Sequence, residues 1–269
     1  MDLQLKGKRA IITGSSSGLG AAIAEALAGE GVAVVIHGRD RSKTEAIANR
    51  IRETGAAVAV ACGDLTDDTQ ADAVADSALE AFGGIDILVN SAGGVVRSDN
   101  PQWEDVTPGE WLKSFNLNVV SIMRMAQKLA PGMRERHWGR IINISSISGS
   151  LYRGLLHDYG AAKAAVDHYT GNLSKSLAPY GITVNGVAPG TILTPQSLRW
   201  IETLRKQHGW TNELAENERI YTSEFSPQPV PRLGRPAEIA AAVAFLASPL
   251  SAYTTGTTLR IDGGVTSGR

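Results

Sequence analysis

The sequence predicts a doubly wound α/β domain, a mostly parallel sheet of about seven strands with helices on both faces. Three observations carry this. Short, almost wholly apolar runs of strand length recur along the 269 residues, segments with helical spacing fall between them, and a Gly-rich turn follows the first run. Runs with so little polar alternation suit strands covered on both faces. Alternation of the two kinds implies one parallel sheet with right-handed crossovers.

The first strand is read at 9–12, before a helix with Leu19, Ile23 and Leu27 four apart. Further strands are read at 32–36, 57–62, 85–89, 140–144, 182–187 and 258–261. Helices are expected at 42–53, 67–82, 108–135, 159–178 and 236–247. No internal repeat or linker divides the chain, so residues 1–269 read as a single domain. The stretch 194–235 breaks the rhythm and is too long for an ordinary connection. It follows a strand end where doubly wound sheets keep their ligands. It reads as a partly helical substrate lid, with Trp200 and Trp210 available to wall an apolar ligand and the acids of 213–218 on a solvated helix face.

Composition narrows the function classes. With 26 basic and 27 acidic residues, the formal charge of −1 leaves no electrostatic footprint for nucleic acid or an anionic membrane. No run approaches the roughly 20 apolar residues of a membrane span, and the start of the chain lacks a signal pattern, so a cytoplasmic protein is expected. The single cysteine, Cys62, has no partner for an internal disulfide, and the five histidines fall at no metal-ligand spacing. No catalytic metal is expected.

The Gly-rich turn is Thr13-Gly14-Ser15-Ser16-Ser17-Gly18-Leu19-Gly20. Glycines at a strand-to-helix junction let the backbone approach a pyrophosphate, and the helix N-terminus adds free N–H groups and partial positive charge. The spacing is Gly-x-x-x-Gly-x-Gly rather than the commoner Gly-x-Gly-x-x-Gly. Four further motifs follow in order: Asn90-Ser91-Ala92-Gly93 after the fourth strand, Ser145-Ser146 after the fifth, Tyr159-Gly160-Ala161-Ala162-Lys163 opening a helix, and Ala188-Pro189-Gly190 ending the sixth strand. In this order, over nearly the whole chain, they resemble the short-chain dehydrogenase/reductase family, in its 3-oxoacyl-carrier-protein-reductase-like branch.

The resemblance implies a Rossmann-type fold and an oxidoreductase that passes a hydride between nicotinamide and a carbonyl or secondary alcohol. The residues themselves make chemical sense of this. Tyr159 and Lys163 are four apart and share a helix face. A free phenol, with pKa about 10, is a poor acid–base group at neutral pH, and a nearby ammonium favours its ionised form. By resemblance, Tyr159 is the general acid/base and Lys163 also holds the nicotinamide ribose. Ser146, thirteen positions before the tyrosine, steadies the substrate oxygen, with Ser145 the adjacent alternative. Asn118 holds a proton-relay water, with Asn116 the competing choice. A non-catalytic NADP(H)-binding sensor or scaffold is the alternative function; the intact Asn118, Ser146, Tyr159 and Lys163 speak against it.

The same resemblance places the cofactor along Gly14, Ser16, Ser17, Gly18, Leu19 and Gly20. Asp64 and Leu65 border the adenine, and Asn90, Ala92 and Gly93 line its path. Pro189, Gly190, Ile192 and Thr194 meet the nicotinamide end. An acid at the second strand tip would accept from the adenosine ribose and favour NAD. That place falls on Gly38, and Arg39 follows, whose guanidinium suits a 2′-phosphate. NADP(H) is favoured, with NAD(H) possible because Asp40 is near and Ser17 stands where NADP-type relatives often carry a second basic residue. The substrate is a small molecule of open identity: acyl thioester, sugar, steroid or small ketone. The family also implies a homotetramer built on the helices at 108–135 and 159–178 and the C-terminal tail.

Overall fold

A computed structural model of the protein describes residues 1–96, 103–152, 154–211 and 213–266. Its strands are β1 (Arg9–Thr13), β2 (Ala33–Gly38), β3 (Val58–Cys62), β4 (Ile87–Asn90), β5 (Gly139–Ile144), β6 (Ile182–Pro189) and β7 (Thr258–Ile261). They form one sheet in the order β3-β2-β1-β4-β5-β6-β7, every pair parallel. The sheet is thus the expected doubly wound one, parallel throughout. Chain order runs one way from β1 to β3 and the other way from β4 to β7. The crevice for a ligand therefore opens beyond the carboxyl ends of β1 and β4.

The helices are α1 (Gly18–Gly29), α2 (Arg41–Arg52), α3 (Asp68–Phe82), α4 (Pro108–Phe115), α5 (Ser121–Glu135), α6 (His157–Leu177), α7 (Pro195–His208), α8 (Leu214–Ile220) and α9 (Pro236–Ala247). Their starts follow capping chemistry. Asp40 accepts from the Ser42 and Lys43 amides at α2, Asp67 from Gln70 at α3, and Thr107 forms a capping box with Glu110 behind Pro108 at α4. Two apolar clusters cover the sheet. Successive strand residues alternate between them: Ile12 joins the cluster under α1 and α9, Ile11 the one under α3 and α5. Among the described residues no helix is long and apolar enough to cross a membrane.

The structure departs from the sequence reading at 108–135 and at 213–218, while 194–235 is partly helical as expected. The expected helix at 108–135 is interrupted by a π-helical turn, Asn116–Val120. The stretch 194–235 holds α7, α8 and a second π-helical turn, Tyr221–Phe225, and returns beside its own start through an Ile192–Gly234 bridge. The 213–218 segment is not wholly a solvated acidic face, because Glu218 is buried and ion-paired with Arg235. Trp210 packs inside this segment, 5.0 Å from the Phe225 ring and 5.9 Å from His208, whereas Trp200 is partly exposed.

Candidate active site

Beyond the carboxyl ends of the strands lies a cleft of about 710 Å³, within the range of cofactor sites. Its lining joins the Gly-rich turn (Gly14, Ser17, Gly18, Leu19, Gly20), the β4 and β5 tips (Ser91, Gly93, Gly94, Ser145, Ser146), Tyr159 and Lys163 of α6, the β6 end (Pro189, Gly190, Ile192) and the start of α7 from Thr194 to Trp200. Lys43, Lys163 and Arg199 are the charged groups among the described lining residues, and no carboxylate joins them.

The turn fits a dinucleotide phosphate. Ser17 caps α1 without a side-chain bond, so the first-turn amides are left for a ligand. The helix starts close behind the turn because position 20 has no side chain; a Cβ there would lie 2.5 Å from the Gly14 carbonyl oxygen and 2.8 Å from its carbon. Thr13 ties the neighbouring loop, its hydroxyl accepting from the Ser91 and Ala92 amides at 3.0 Å each.

On α6, Tyr159 is half-buried and Lys163 buried, with the ammonium 5.5 Å from the tyrosine ring centroid. Lys163 Nζ donates to the Ile144 carbonyl at 2.8 Å. Burial pushes Lys163 down to about 8, opposed by Asp167 one turn further on. Burial also pushes the Tyr159 phenol above its usual value, and the opposing influence is a hydrogen bond with the Ser146 side chain. By helical spacing the ammonium is expected to make the phenol acidic. In the structure desolvation dominates, because the helix that aligns the pair also buries it.

Of the adjacent serines, Ser145 is buried and donates to the Lys163 carbonyl, while Ser146 faces Tyr159. Asn118 sits at the centre of the π-helical turn, fully buried. Its Oδ1 accepts from the Gly94 amide and its Nδ2 donates to the Gly94 and Ser114 carbonyls, all at 2.9 Å. It fastens the β4 loop to the helix facing α6. Asn116 points elsewhere, donating to the Thr66 carbonyl at 2.9 Å.

The remaining expected residues divide. Gly93, Pro189, Gly190, Ile192 and Thr194 line the cleft, whereas Ser16, Arg39, Asp64, Leu65, Asn90 and Ala92 stand behind or beside it. The Asn90 side chain is buried and donates to Asn143 Oδ1 at 2.9 Å, joining β4 to β5. Leu65 is buried in the core. Asp64 accepts from Thr66 and lies 3.7 Å from the exposed Arg39. Gly38 is closely packed: a Cβ there would fall 2.6 Å from Ser16 Cβ and from Thr44 Oγ1. The strand tip thus has no room for an acidic side chain.

Three residues went unnoticed in the sequence. Lys43, in the first turn of α2, brings a cation into the wall of the cleft that Ser17 also lines, and lies 3.5 Å from Asp40. Arg199 does so from α7. His37, buried behind the Gly-rich turn, bonds to it directly. Helical spacing from Asp40 and from Thr194 was the available signal for the first two.

Comparison with known proteins agrees with this geometry. Residues 14–266 match the family model described as enoyl-(acyl carrier protein) reductase. The chain is 37% identical to the 3-oxoacyl-(acyl-carrier-protein) reductase of Vibrio cholerae, over 98% of this chain and 99% of that one. In structure it is similar to L-sorbose reductase of Gluconobacter frateurii complexed with NADPH and L-sorbose, with a TM-score of 0.93, 33% identity and full coverage of both chains. It is also similar to a 7α-hydroxysteroid dehydrogenase complexed with NADH and 7-oxo glycochenodeoxycholic acid, with a TM-score of 0.85 and 32% identity over 98% of this chain and 96% of that one. With its parallel sheet, Gly-rich turn and Ser146–Tyr159–Lys163 cleft, the chain belongs to the short-chain dehydrogenase/reductase family and is an oxidoreductase acting on carbonyl and hydroxyl groups.

Proposed function

We propose that the protein is an NADP(H)-dependent carbonyl reductase, interconverting a small carbonyl compound and its secondary alcohol. The observation that carries this is the convergence of Ser146, Tyr159 and Lys163 on one cleft with the Gly-rich turn. The nicotinamide cofactor, when bound, supplies or accepts the hydride. Tyr159, held protonated by burial, donates its proton to the carbonyl oxygen as negative charge develops there. Ser146 hydrogen-bonds that oxygen. Lys163 orients the ribose and keeps positive charge beside the phenol, while Asn118 shapes the loop between them. The stretch 194–235 acts as the substrate lid, with Trp200 facing the cleft.

NADP(H) is preferred because the β2 tip excludes an acid at Gly38 and offers cations at Arg39 and Lys43. Lys43 supplies the second positive charge that Ser17 does not. NADPH consumption is to be followed with a ketose, a 3-oxoacyl thioester and a 7-oxo steroid, the substrate types of the similar proteins. The expected kcat/KM is higher for NADPH than for NADH. Arg39→Ala and Lys43→Ala should each raise the KM for NADPH about tenfold, the scale of one charge-assisted hydrogen bond, and leave that for NADH unchanged. A clear NADH preference in the wild-type protein would reassign the cofactor.

A homotetramer is the assembly we propose, supported by exposed apolar side chains at the surfaces the family resemblance implies: Leu112 of α4 is 73% exposed, and Leu259 of β7 and Tyr253 ahead of that strand also face outward. Light scattering should give a mass near four times the 28.4 kDa of one chain; a monomeric mass would refute it.

A further inference from the structure

His37 is buried, 3% exposed, at the carboxyl end of β2, and both its ring nitrogens are engaged. Nδ1 accepts from the Gly14 amide at 3.0 Å, and Nε2 lies 3.1 Å from the Gly63 carbonyl. An amide can only donate and a carbonyl only accept, so the ring is neutral with its proton on Nε2. Its backbone amide donates to Ser15 Oγ at 2.9 Å. One side chain on β2 thereby links the loops that follow β1 and β3.

The two loops it reaches are the ones the dinucleotide would touch. Gly14 opens the Gly-rich turn with φ of +68°, and Gly63 directly precedes Asp64. Gly14 is confined on every side: its amide by His37, its carbonyl by Gly20, and its Cα by Ala92, whose backbone would lie 2.8 Å from a Cβ at position 14. Only the His37 bond comes from a side chain, so only that restraint is set by a residue type that substitution can change without moving the main chain.

We infer that His37 is a positioning residue for the cofactor, a strut whose Nδ1 fixes the pyrophosphate turn by holding the Gly14 amide, while the bond from Nε2 to the Gly63 carbonyl keeps the ring proton off Nδ1. This rests on reading the cleft as a dinucleotide site. The charged groups around the ring are Asp64 and Arg39, which oppose each other. Burial holds His37 down at about 4, so the strut stays neutral across the physiological range.

The two ring nitrogens can be tested separately. His37→Asn places an amide oxygen near the Nδ1 position and keeps the acceptor for Gly14. His37→Gln places an amide nitrogen near Nε2 and keeps the donor for Gly63. His37→Leu keeps neither. Dissociation constants for NADP⁺ and NADPH are to be measured by calorimetry on the full chain, beside thermal unfolding and kcat at saturating cofactor. Expected are a constant for His37→Leu weakened about tenfold or more, a similar loss for His37→Gln, and substantial rescue in His37→Asn. The kcat of each folded variant should be retained at saturation. If His37→Asn and His37→Gln lose melting temperature alike, rescue of binding by Asn alone marks positioning of Gly14 rather than general stability. Wild-type affinity in His37→Leu, or equal affinities for the Asn and Gln variants, would overturn the inference. A wild-type protein that binds no nicotinamide dinucleotide would instead overturn the proposed function.

Discussion

Replacing Tyr159 by phenylalanine is expected to lower kcat at least about 100-fold, the lower end of what general acid–base catalysis contributes, while cofactor affinity stays close to that of the wild type. The ring is half-buried on α6 and its packing is kept in the variant. What is lost is one O–H in a cleft where burial keeps the phenol protonated and Ser146 is its hydrogen-bond partner. A factor of 100 corresponds to about 2.7 kcal/mol of transition-state stabilisation, more than a neutral hydrogen bond contributes to folding. Such a loss therefore separates a proton donor from a residue that merely packs. Steady-state turnover on a responsive carbonyl, with parallel NADPH titration, checks it. Near-normal turnover would remove Tyr159 from the chemistry.

Gly20→Ala should abolish tight cofactor binding and lower the melting temperature. The added Cβ would meet the carbonyl group of Gly14 and, at 2.9 Å, the Cα of Ser15, all main chain and unable to swing aside. Relief requires the turn and the first turn of α1 to part, which spreads the amides meant for one phosphate. Overpacking of this kind costs about 1–3 kcal/mol, or roughly 2–12 °C for a domain of this size. Thermal unfolding and calorimetric titration with NADPH read the two effects separately. A variant that keeps both its melting temperature and its affinity would show that the turn is not held by this contact.

Most of the fold was legible because each unit announces itself locally. Apolar runs such as 182–187 lie within the observed β6, and the helix at 236–247 coincides with α9. The candidate site was legible for a related reason: Ser146, Tyr159 and Lys163 sit beside strand or helix ends that the topology gathers at one cleft. What escaped depends on distance in three dimensions. His37 matters through Gly14 and Gly63, which only the parallel register of β1, β2 and β3 brings to its two sides. The acidity of Tyr159 escaped because helical spacing reports which face two residues share and says nothing of how far that face is withdrawn from water. Asn90 carried a motif, yet the structure turns its side chain toward β5, so a shared motif marked the strand tip rather than a wall of the cleft.

The π-helical turn at Asn116–Val120 has a mechanical corollary. A residue more than an α-helix needs, it offsets everything downstream by about 100° of rotation, the angle of a single step. α4 lies against α6 and α5 against α3, two neighbours that a uniform helical screw would not serve in this phase. Deleting one residue here would regularise the spiral and mis-aim either the apolar stripe of α5 or the amide grip on Gly94. The irregularity works as a swivel joint set at a fixed angle, with the β4 loop hung from its pin at Asn118.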